Sequence, residues 1–479
     1  MIIRPVKPRP GIFAGPYLIV GLARSGAAAA LALRARGEEV VGLDAGWVAG
    51  TEALLAAGVE LYLDDPDGVA LLDRTATVVK SPGVPATAPV IAAARERGTP
   101  VLGELELAWR LLTNEFVAVT GTNGKTTTVE LIGHIHREAG LPVAVAGNVG
   151  TAASSLVGTL AGETTVVCEV SSFQLEDTLE FAPEAAVLLN ITPDHLDRHG
   201  TLAAYAAAKL EIFARQQPSD VAVFPRELPQ RSAWAGAGRA ADADGERTGS
   251  LIPGAARRVE FGWEPEAAAF ELDGELWWQG RPLIALADLH LRGRHNAENA
   301  MAAAAVCLSR GIDPATVRAG LASFPGVAHR LEEVAELGGV LYVNDSKATN
   351  VASTLVALEA FAGRPVHLIL GGRGKGQDFT SLREPVARAC AGVYVIGEHA
   401  ATIVAALANI DSPVHDCGDL QRALATTAAA VAGDPDAVDR TVQAGPVVLL
   451  SPACASFDQF ADFEARGDAF RKLVQGLQG

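Results

Sequence analysis

The stretch Phe116-Val-Ala-Val-Thr-Gly-Thr-Asn-Gly-Lys-Thr-Thr127 decides the fold. Phe116 to Thr120 is a short apolar run of the kind buried in a parallel sheet. A glycine-bearing loop follows, and from Lys125 the pattern turns helical toward Ala139. Strand, glycine loop and helix in that order make a phosphate cradle. The glycines let backbone N–H groups turn toward an anion, the helix N-terminus adds positive potential, and Lys125 reaches the outer phosphate oxygens. Thr126 then offers a hydroxyl to Mg²⁺. The usual spacing puts a glycine five residues before Gly124, and Val119 stands there, so this is a shorter variant of the loop. Gly121, Thr122, Asn123, Gly124, Lys125, Thr126 and Thr127 are therefore expected to hold ATP.

Upstream, Tyr17–Val20, a glycine turn, an Ala/Leu-rich helix to Arg36 and the strand Val40–Asp44 form a βαβ opening. Its turn, Gly21-Leu-Ala-Arg-Ser-Gly26, resembles a dinucleotide-binding turn with Asp44 near the acidic position, but Ala23 replaces the middle glycine. A dinucleotide and another phosphorylated ligand at this helix N-terminus both fit. Downstream, strands are expected at 143–146, 165–170 and 185–191. A loop rich in Ala, Gly, Arg and Asp spans Pro225–Pro253, and Asp273-Gly274 sits between apolar runs as the turn of a decorative surface hairpin. After Pro325-Gly326 comes a third unit, with a hairpin around Gly338-Gly339 and strands at 366–370, 393–396 and 447–450. Strands alternating with helices imply mostly parallel α/β sheets.

The length of 479 residues fits roughly three domains at about 150 residues each. The expected division is 1–109, 110–326 and 327–479. Hydrophobic residues make up 49% and charged residues 20%, which excludes disordered and collagen-like classes. A net charge of −17 argues against a broad basic face for nucleic acid. The cations are nearly all arginine. Only Lys7, Lys80, Lys125, Lys209, Lys347, Lys375 and Lys472 are lysine, so each merits individual attention. Five scattered cysteines without a CxxC pair read as reduced, mostly buried thiols. The N-terminus has no signal-type apolar segment and no later run is long enough to span a membrane, so a soluble cytoplasmic protein is expected.

Glu169 ends an apolar run, Val166-Val-Cys-Glu169, where a carboxylate is costly unless it pairs or holds a cation. In a phosphoryl-transfer site such a strand-end carboxylate commonly holds Mg²⁺. Asn190-Ile-Thr-Pro-Asp-His-Leu-Asp-Arg-His199 follows the next strand, so its polar groups emerge at the same sheet edge, where open α/β sheets bind ligands. His195 and His199 are four apart, yet Pro193 and the absence of HExxH oppose a zinc pair. His195 is preferred as a Mg²⁺-associated or orienting group, and His199 as a surface or structural one.

These segments together resemble the Mur ligases of bacterial peptidoglycan synthesis. The resemblance is carried by Gly121–Thr126, by Glu169 in Glu-Val-Ser-Ser-Phe-Gln-Leu-Glu176, by Asn190 with Asp194-His195-Leu-Asp-Arg198, and by Arg292-Gly-Arg-His-Asn-Ala-Glu-Asn299. Asn344-Asp-Ser-Lys-Ala-Thr-Asn350, Leu370-Gly-Gly-Arg-Gly-Lys-Gly376 and Leu450-Ser-Pro-Ala-Cys-Ala-Ser-Phe-Asp-Gln-Phe460 look like the D-glutamate-adding branch. The resemblance implies three domains: a Rossmann-like UDP-binding domain, a central P-loop ATPase domain and a Rossmann-like C-terminal domain. It also implies ATP-dependent amide formation between UDP-N-acetylmuramoyl-L-alanine and D-glutamate through an acyl phosphate. A sister ligase, or a folylpolyglutamate-synthase-like enzyme adding another amino acid such as L-glutamate, is the alternative. A nicotinamide dehydrogenase built on Gly21–Gly26 would leave Lys125, Glu169 and Lys209 unexplained.

By resemblance, Lys125 and Thr126 hold ATP phosphates and one Mg²⁺, Glu169 is a metal ligand, and His195 helps bind a second Mg²⁺. Lys209 is similar to the family's carbamylated lysine, which turns an ammonium into a metal-orienting anion. Asn296 and Asn299 resemble adenine and phosphate contacts, and Arg330, Asp345 and Lys347 further nucleotide contacts. Ser25, Gly26, Asp44, Gly83, Asn148 and His195 correspond to the UDP-substrate site, although Ala45-Gly46 replaces the Thr-Arg pair expected after Asp44. Thr349, Lys375, Ser456 and Phe463 correspond to D-glutamate recognition. A monomer with small-molecule partners only, and neither nucleic acid nor membrane insertion, is the family-level expectation.

Overall fold

The computed structural model of the chain describes residues 7–228, 251–291, 293–374, 376–433 and 445–477. Lys375 and Arg292 lie outside the described residues, as does most of the Ala/Gly-rich loop after Pro225.

The strands form three sheets. The first is wholly parallel, in the order β3-β2-β1-β4-β5, with β1 Tyr17–Val20, β2 Val40–Asp44, β3 Glu60–Leu63, β4 Thr77–Lys80 and β5 Val101–Gly103. Chain order reverses between β1 and β4, so a crevice opens beyond their carboxyl ends. Gly21–Gly26 and Ser81-Pro82-Gly83 flank it. Gly26 is required there, since a Cβ would lie 1.8 Å from the Gly21 carbonyl oxygen.

The second sheet has nine strands, in the order β14-β13-β12-β11-β10-β9-β6-β8-β7. Its parallel part is β6 Phe116–Thr120, β7 Val143–Gly147, β8 Thr165–Glu169, β9 Ala185–Leu188, β10 Val221–Pro225, β11 Arg257–Gly262 and β12 Ala269–Leu272. The antiparallel β13 Glu275–Trp278 and β14 Arg281–Ala285 complete it. Asp273 and Gly274 have φ of 52° and 81°, the left-handed pair of a tight hairpin turn. This hairpin is not decorative. β12 pairs with β11, and Phe270 and Leu276 are buried, so it extends the central sheet.

The third sheet runs β15-β16-β20-β17-β18-β19, with β15 Glu332–Leu337, β16 Val340–Asn344, β17 Val366–Gly371, β18 Cys390–Ile396, β19 Val414–Gly418 and β20 Val447–Leu450. Among the described strands of this sheet, only the β15–β16 hairpin, turning on Gly338-Gly339, pairs antiparallel. The architecture is thus α/β with three mostly parallel sheets. All five cysteines are buried and unbridged. Among the described residues no helix is long and apolar enough to cross a membrane.

The residues group into two compact units. One comprises Met1–Leu289 with His295–Phe324 and holds the first two sheets; the other comprises His290–Arg294 with Pro325–Gly479. The sequence-based edge at residue 109 falls inside the helix Glu104–Leu111. This helix bonds the two sheets of the first unit. The Glu106 carboxylate accepts from Leu179 N at 3.0 Å and Phe181 N at 2.9 Å, and Glu104 from Ser154 N at 2.7 Å. A buried ion pair, Lys80 Nζ to Asp177 at 2.5 Å, adds a further tie.

Candidate functional site

In the central sheet β6 lies between β9 and β8, so the loops after Thr120, Leu188 and Glu169 meet at one edge. Gly124 has φ +86°, and a Cβ there would lie 2.2 Å from Asn299 Oδ1. Glycine therefore lets the helix Arg294–Ser309 approach the loop. On that helix Asn299 Nδ2 donates to Asn296 Oδ1 at 3.1 Å, which places both expected asparagines beside the phosphate loop. The Asn190 side chain fixes the loop's other flank, its Oδ1 accepting from Thr122 N at 3.1 Å and Asn123 N at 2.9 Å.

Lys125 Nζ donates to the carbonyls of Gly121 and Thr122, each at 2.9 Å. Lys209, on the helix Leu202–Ala214 and 1% exposed, donates to the same Gly121 oxygen at 2.8 Å and lies 4.5 Å from the Tyr205 ring centroid. Two ammonium groups converge on one carbonyl. Burial, reinforced by Lys125, drives the Lys209 pKa well below the usual lysine range, with Asp194 and Glu169 pulling the other way.

Thr126 Oγ1 donates to Glu169 Oε2 at 2.8 Å, and Asn148 Nδ2 to Glu169 Oε1 at 3.1 Å. The expected hydroxyl and carboxylate are thus neighbours at the helix start. Among the described residues no group of three His, Cys, Asp or Glu gathers to hold a metal ion. A hydroxyl beside one buried carboxylate nevertheless fits Mg²⁺, which keeps waters and takes phosphate oxygens rather than an all-protein cage.

His195 sits in a left-handed conformation, φ +51°, with its half-exposed ring 3.6 Å from Asp194. His199 is instead structural: its side chain is buried, 3.0 Å from Ser172 Oγ and 3.1 Å from Glu176. In the first sheet, Asp44 accepts from Leu22 N at 2.7 Å and Gly46 N at 3.0 Å. It therefore organises the glycine turn above Ser25 and Gly26. Arg24 Nη2 donates to the Asn148 carbonyl at 3.0 Å, and Arg198 Nη1 to the Pro82 carbonyl, beside Gly83, at 2.9 Å. Neither arginine was given a role from the sequence, although Arg198 stands in one of the motifs that carry the resemblance. They join the first sheet's ligand edge to the second sheet's, and arginine in so arginine-rich a chain carries no local signal.

In the second unit, Asp345 accepts from Ser451 Oγ at 2.9 Å and Leu331 N at 3.3 Å; burial raises its pKa to about 7, against these bonds and Arg330. Lys347 Nζ stands 5.3 Å from the Phe463 ring centroid, and Thr349 N donates to the Lys347 carbonyl at 2.9 Å. Ser456 is 2% exposed, on the loop after β20. Lys375 lies outside the described residues; Phe463 begins the helix Phe463–Gly476, and its carbonyl accepts from Ser346 Oγ, three residues before Thr349, at 2.8 Å.

Comparison with known proteins matches residues 119–307 to the Mur ligase middle domain and 329–454 to the Mur ligase glutamate ligase domain. A UDP-N-acetylmuramoylalanine–D-glutamate ligase of Anaeromyxobacter dehalogenans is 45% identical over 473 residues, 95% of this chain and 96% of that one. One from Pelotomaculum thermopropionicum is 40% identical over 96% of this chain and 97% of its own. Among solved structures, a UDP-N-acetylmuramate-alanine ligase from Thermotoga maritima shares the fold with a TM-score of 0.58, at 21% identity, covering 96% of this chain and 99% of that one. On sequence likeness along nearly its whole length, the chain belongs to the Mur ligase family.

Proposed function

We propose that the chain catalyses ATP-dependent addition of D-glutamate to UDP-N-acetylmuramoyl-L-alanine in peptidoglycan precursor synthesis. A carboxylate is a poor acyl donor, because its leaving group would be oxide. The γ-phosphoryl group of ATP therefore passes to the substrate carboxylate, giving an acyl phosphate and ADP. The D-glutamate amine then attacks the acyl carbon, the amide bond forms, and phosphate leaves with the former carboxylate oxygen.

The reaction class rests on one observation: Lys125 and Lys209 converge on the Gly121 carbonyl beside the 2.8 Å Thr126–Glu169 pair. Both steps pass through highly anionic states, which fixed cations stabilise. ATP is assigned to Gly121–Thr127 with Asn296, Asn299, Arg330, Asp345 and Lys347. Thr126 and Glu169 would hold Mg²⁺, with His195 and Lys209 serving a second ion. Bound there, Mg²⁺ neutralises phosphoryl oxygens. The lowered Lys209 pKa supports carbamylation, since only an unprotonated amine attacks CO₂. Ser25, Gly26, Asp44, Gly83, Asn148 and His195 are assigned to the UDP-substrate, and Thr349, Lys375, Ser456 and Phe463 to D-glutamate.

The choice of D-glutamate is supported by the length of the likeness to the Anaeromyxobacter dehalogenans ligase, which includes the second unit. The test is phosphate release from ATP and Mg²⁺ with UDP-N-acetylmuramoyl-L-alanine, offering D-glutamate, L-glutamate and other amino acids separately. Release is expected with D-glutamate alone. Equal release with L-glutamate, or release independent of any amino acid, would overturn the assignment.

A further inference from the structure

Arg466 stands one turn into the helix Phe463–Gly476 and is 1% exposed. Its Nε donates to Ser346 Oγ at 2.9 Å, and its Nη2 to the carbonyls of Ser346 at 2.8 Å and Cys454 at 3.1 Å. Nη1 is buried with no hydrogen-bond partner, and the guanidinium forms no ion pair among the described residues. Burial lowers its pKa only to about 10, so the charge persists at neutral pH.

Such a group is expensive. A buried cation with no ion pair among the described residues, Asp458 acting on it from beyond ion-pair distance, and with a spare donor, costs more than an apolar side chain of the same volume would. Filling space therefore does not explain it. What it touches does. Ser346 lies in the turn that carries Lys347 and Thr349, and its Oγ donates to the Phe463 carbonyl at 2.8 Å. Cys454 lies two residues before Ser456. The turn leading toward Lys375 packs alongside, since a Cβ on Gly372 would lie 3.2 Å from Arg466 Nη1. That turn is also bonded to the Cys454 segment, with Arg373 N to Ala455 O at 2.9 Å and Ala455 N to Arg373 O at 3.0 Å. One planar fork thus bonds the Ser346 and Cys454 turns and lies beside Gly372.

We propose that Arg466 is a positioning residue for the amino-acid substrate, its guanidinium locking the Ser346 and Cys454 turns to the start of the last helix. Thr349, Ser456 and Phe463 are thereby held in register for a dicarboxylate. The inference rests on the D-glutamate reading above.

The test is steady-state kinetics of Arg466→Lys and Ser346→Ala, with KM measured separately for D-glutamate, ATP and the UDP-substrate. Lysine keeps the charge but cannot span both turns. Arg466→Lys should raise KM for D-glutamate about tenfold, the worth of one hydrogen bond to a charged group, and leave the other two KM values and kcat near wild type. Ser346→Ala should raise the same KM by less. Unchanged KM for D-glutamate in both variants, or all three KM values rising together as in general loosening, would overturn the proposal. If Arg466→Lys does not fold, Ser346→Ala decides by the same criterion. Wild-type protein without D-glutamate-dependent turnover would overturn the functional reading and this inference together, whereas an active enzyme with unmoved variants would overturn the inference alone.

Discussion

Lys209 in the first unit and Arg466 in the second are each 1% exposed, yet burial acts on them differently. The ammonium is compact and strongly hydrated, so desolvation, with Lys125 sharing its carbonyl, lowers its pKa well below the usual lysine range. The guanidinium spreads its charge over a planar fork, keeps it, and spends it on two turns. The buried lysine at position 209 carries a titratable amine; the buried arginine at position 466 holds a fixed geometry. The carbamylation proposed for Lys209 would require lysine rather than arginine at that position.

Lys209→Arg is the harshest way to break this comparison. Arginine preserves the charge but is never a neutral nucleophile, so phosphate release should fall by on the order of 10²–10³-fold, the scale of losing a transition-state electrostatic contact. Melting measured alongside separates this loss of chemistry from any loss of stability caused by the larger buried cation. Activity close to wild type would make Lys209 an ordinary buried cation.

Lys80 is a third buried cation and sharpens the contrast because it has a carboxylate partner. Burial lowers its pKa while Asp177 opposes that shift. Asp177→Ala would strand the ammonium and should cost about 3–5 kcal/mol in denaturant unfolding. Replacing both residues with apolar ones should restore most of that stability. If the double variant were as unstable as the single one, the pair's role would be geometric rather than electrostatic.

Asp345 gives the mildest effect, in the opposite charge sense. Its pKa is raised from 3.8 to about 7, so the folded state binds a proton that the unfolded chain has released. This contribution to stability is full below about pH 4 and is lost as pH rises through about 7. Asp345→Asn should remove that slope from a plot of melting temperature against pH. An unchanged slope would mean that another group carries it.

Much of this was legible locally. The phosphate loop declares itself because strand, glycine turn and helix start are contiguous, and the Asp273-Gly274 and Gly338-Gly339 hairpins because two consecutive left-handed residues specify the turn. That the first hairpin extends the central sheet was not legible, because its pairing with β11 depends on strands distant in sequence. Nor was the fusion of the first two sheets into one unit, which Glu104, Glu106 and the Lys80–Asp177 pair produce across long separations. Lys80 did leave a trace, as a lysine ending the apolar strand Thr77–Lys80, where only a partnered cation survives. Arg466 reads as an ordinary helical arginine until Ser346, 120 residues away in sequence, folds against it. Its only local sign is a position three residues after Phe463, on the same helix face.

The central claim is that the chain activates a carboxylate by phosphorylating it. Turnover with heavy oxygen in the alanyl carboxylate of UDP-N-acetylmuramoyl-L-alanine, followed by mass analysis of the released phosphate, tests that claim most directly. One labelled oxygen is expected in each phosphate formed. Phosphate free of label would contradict it, since ATP would then be cleaved by water rather than by the substrate.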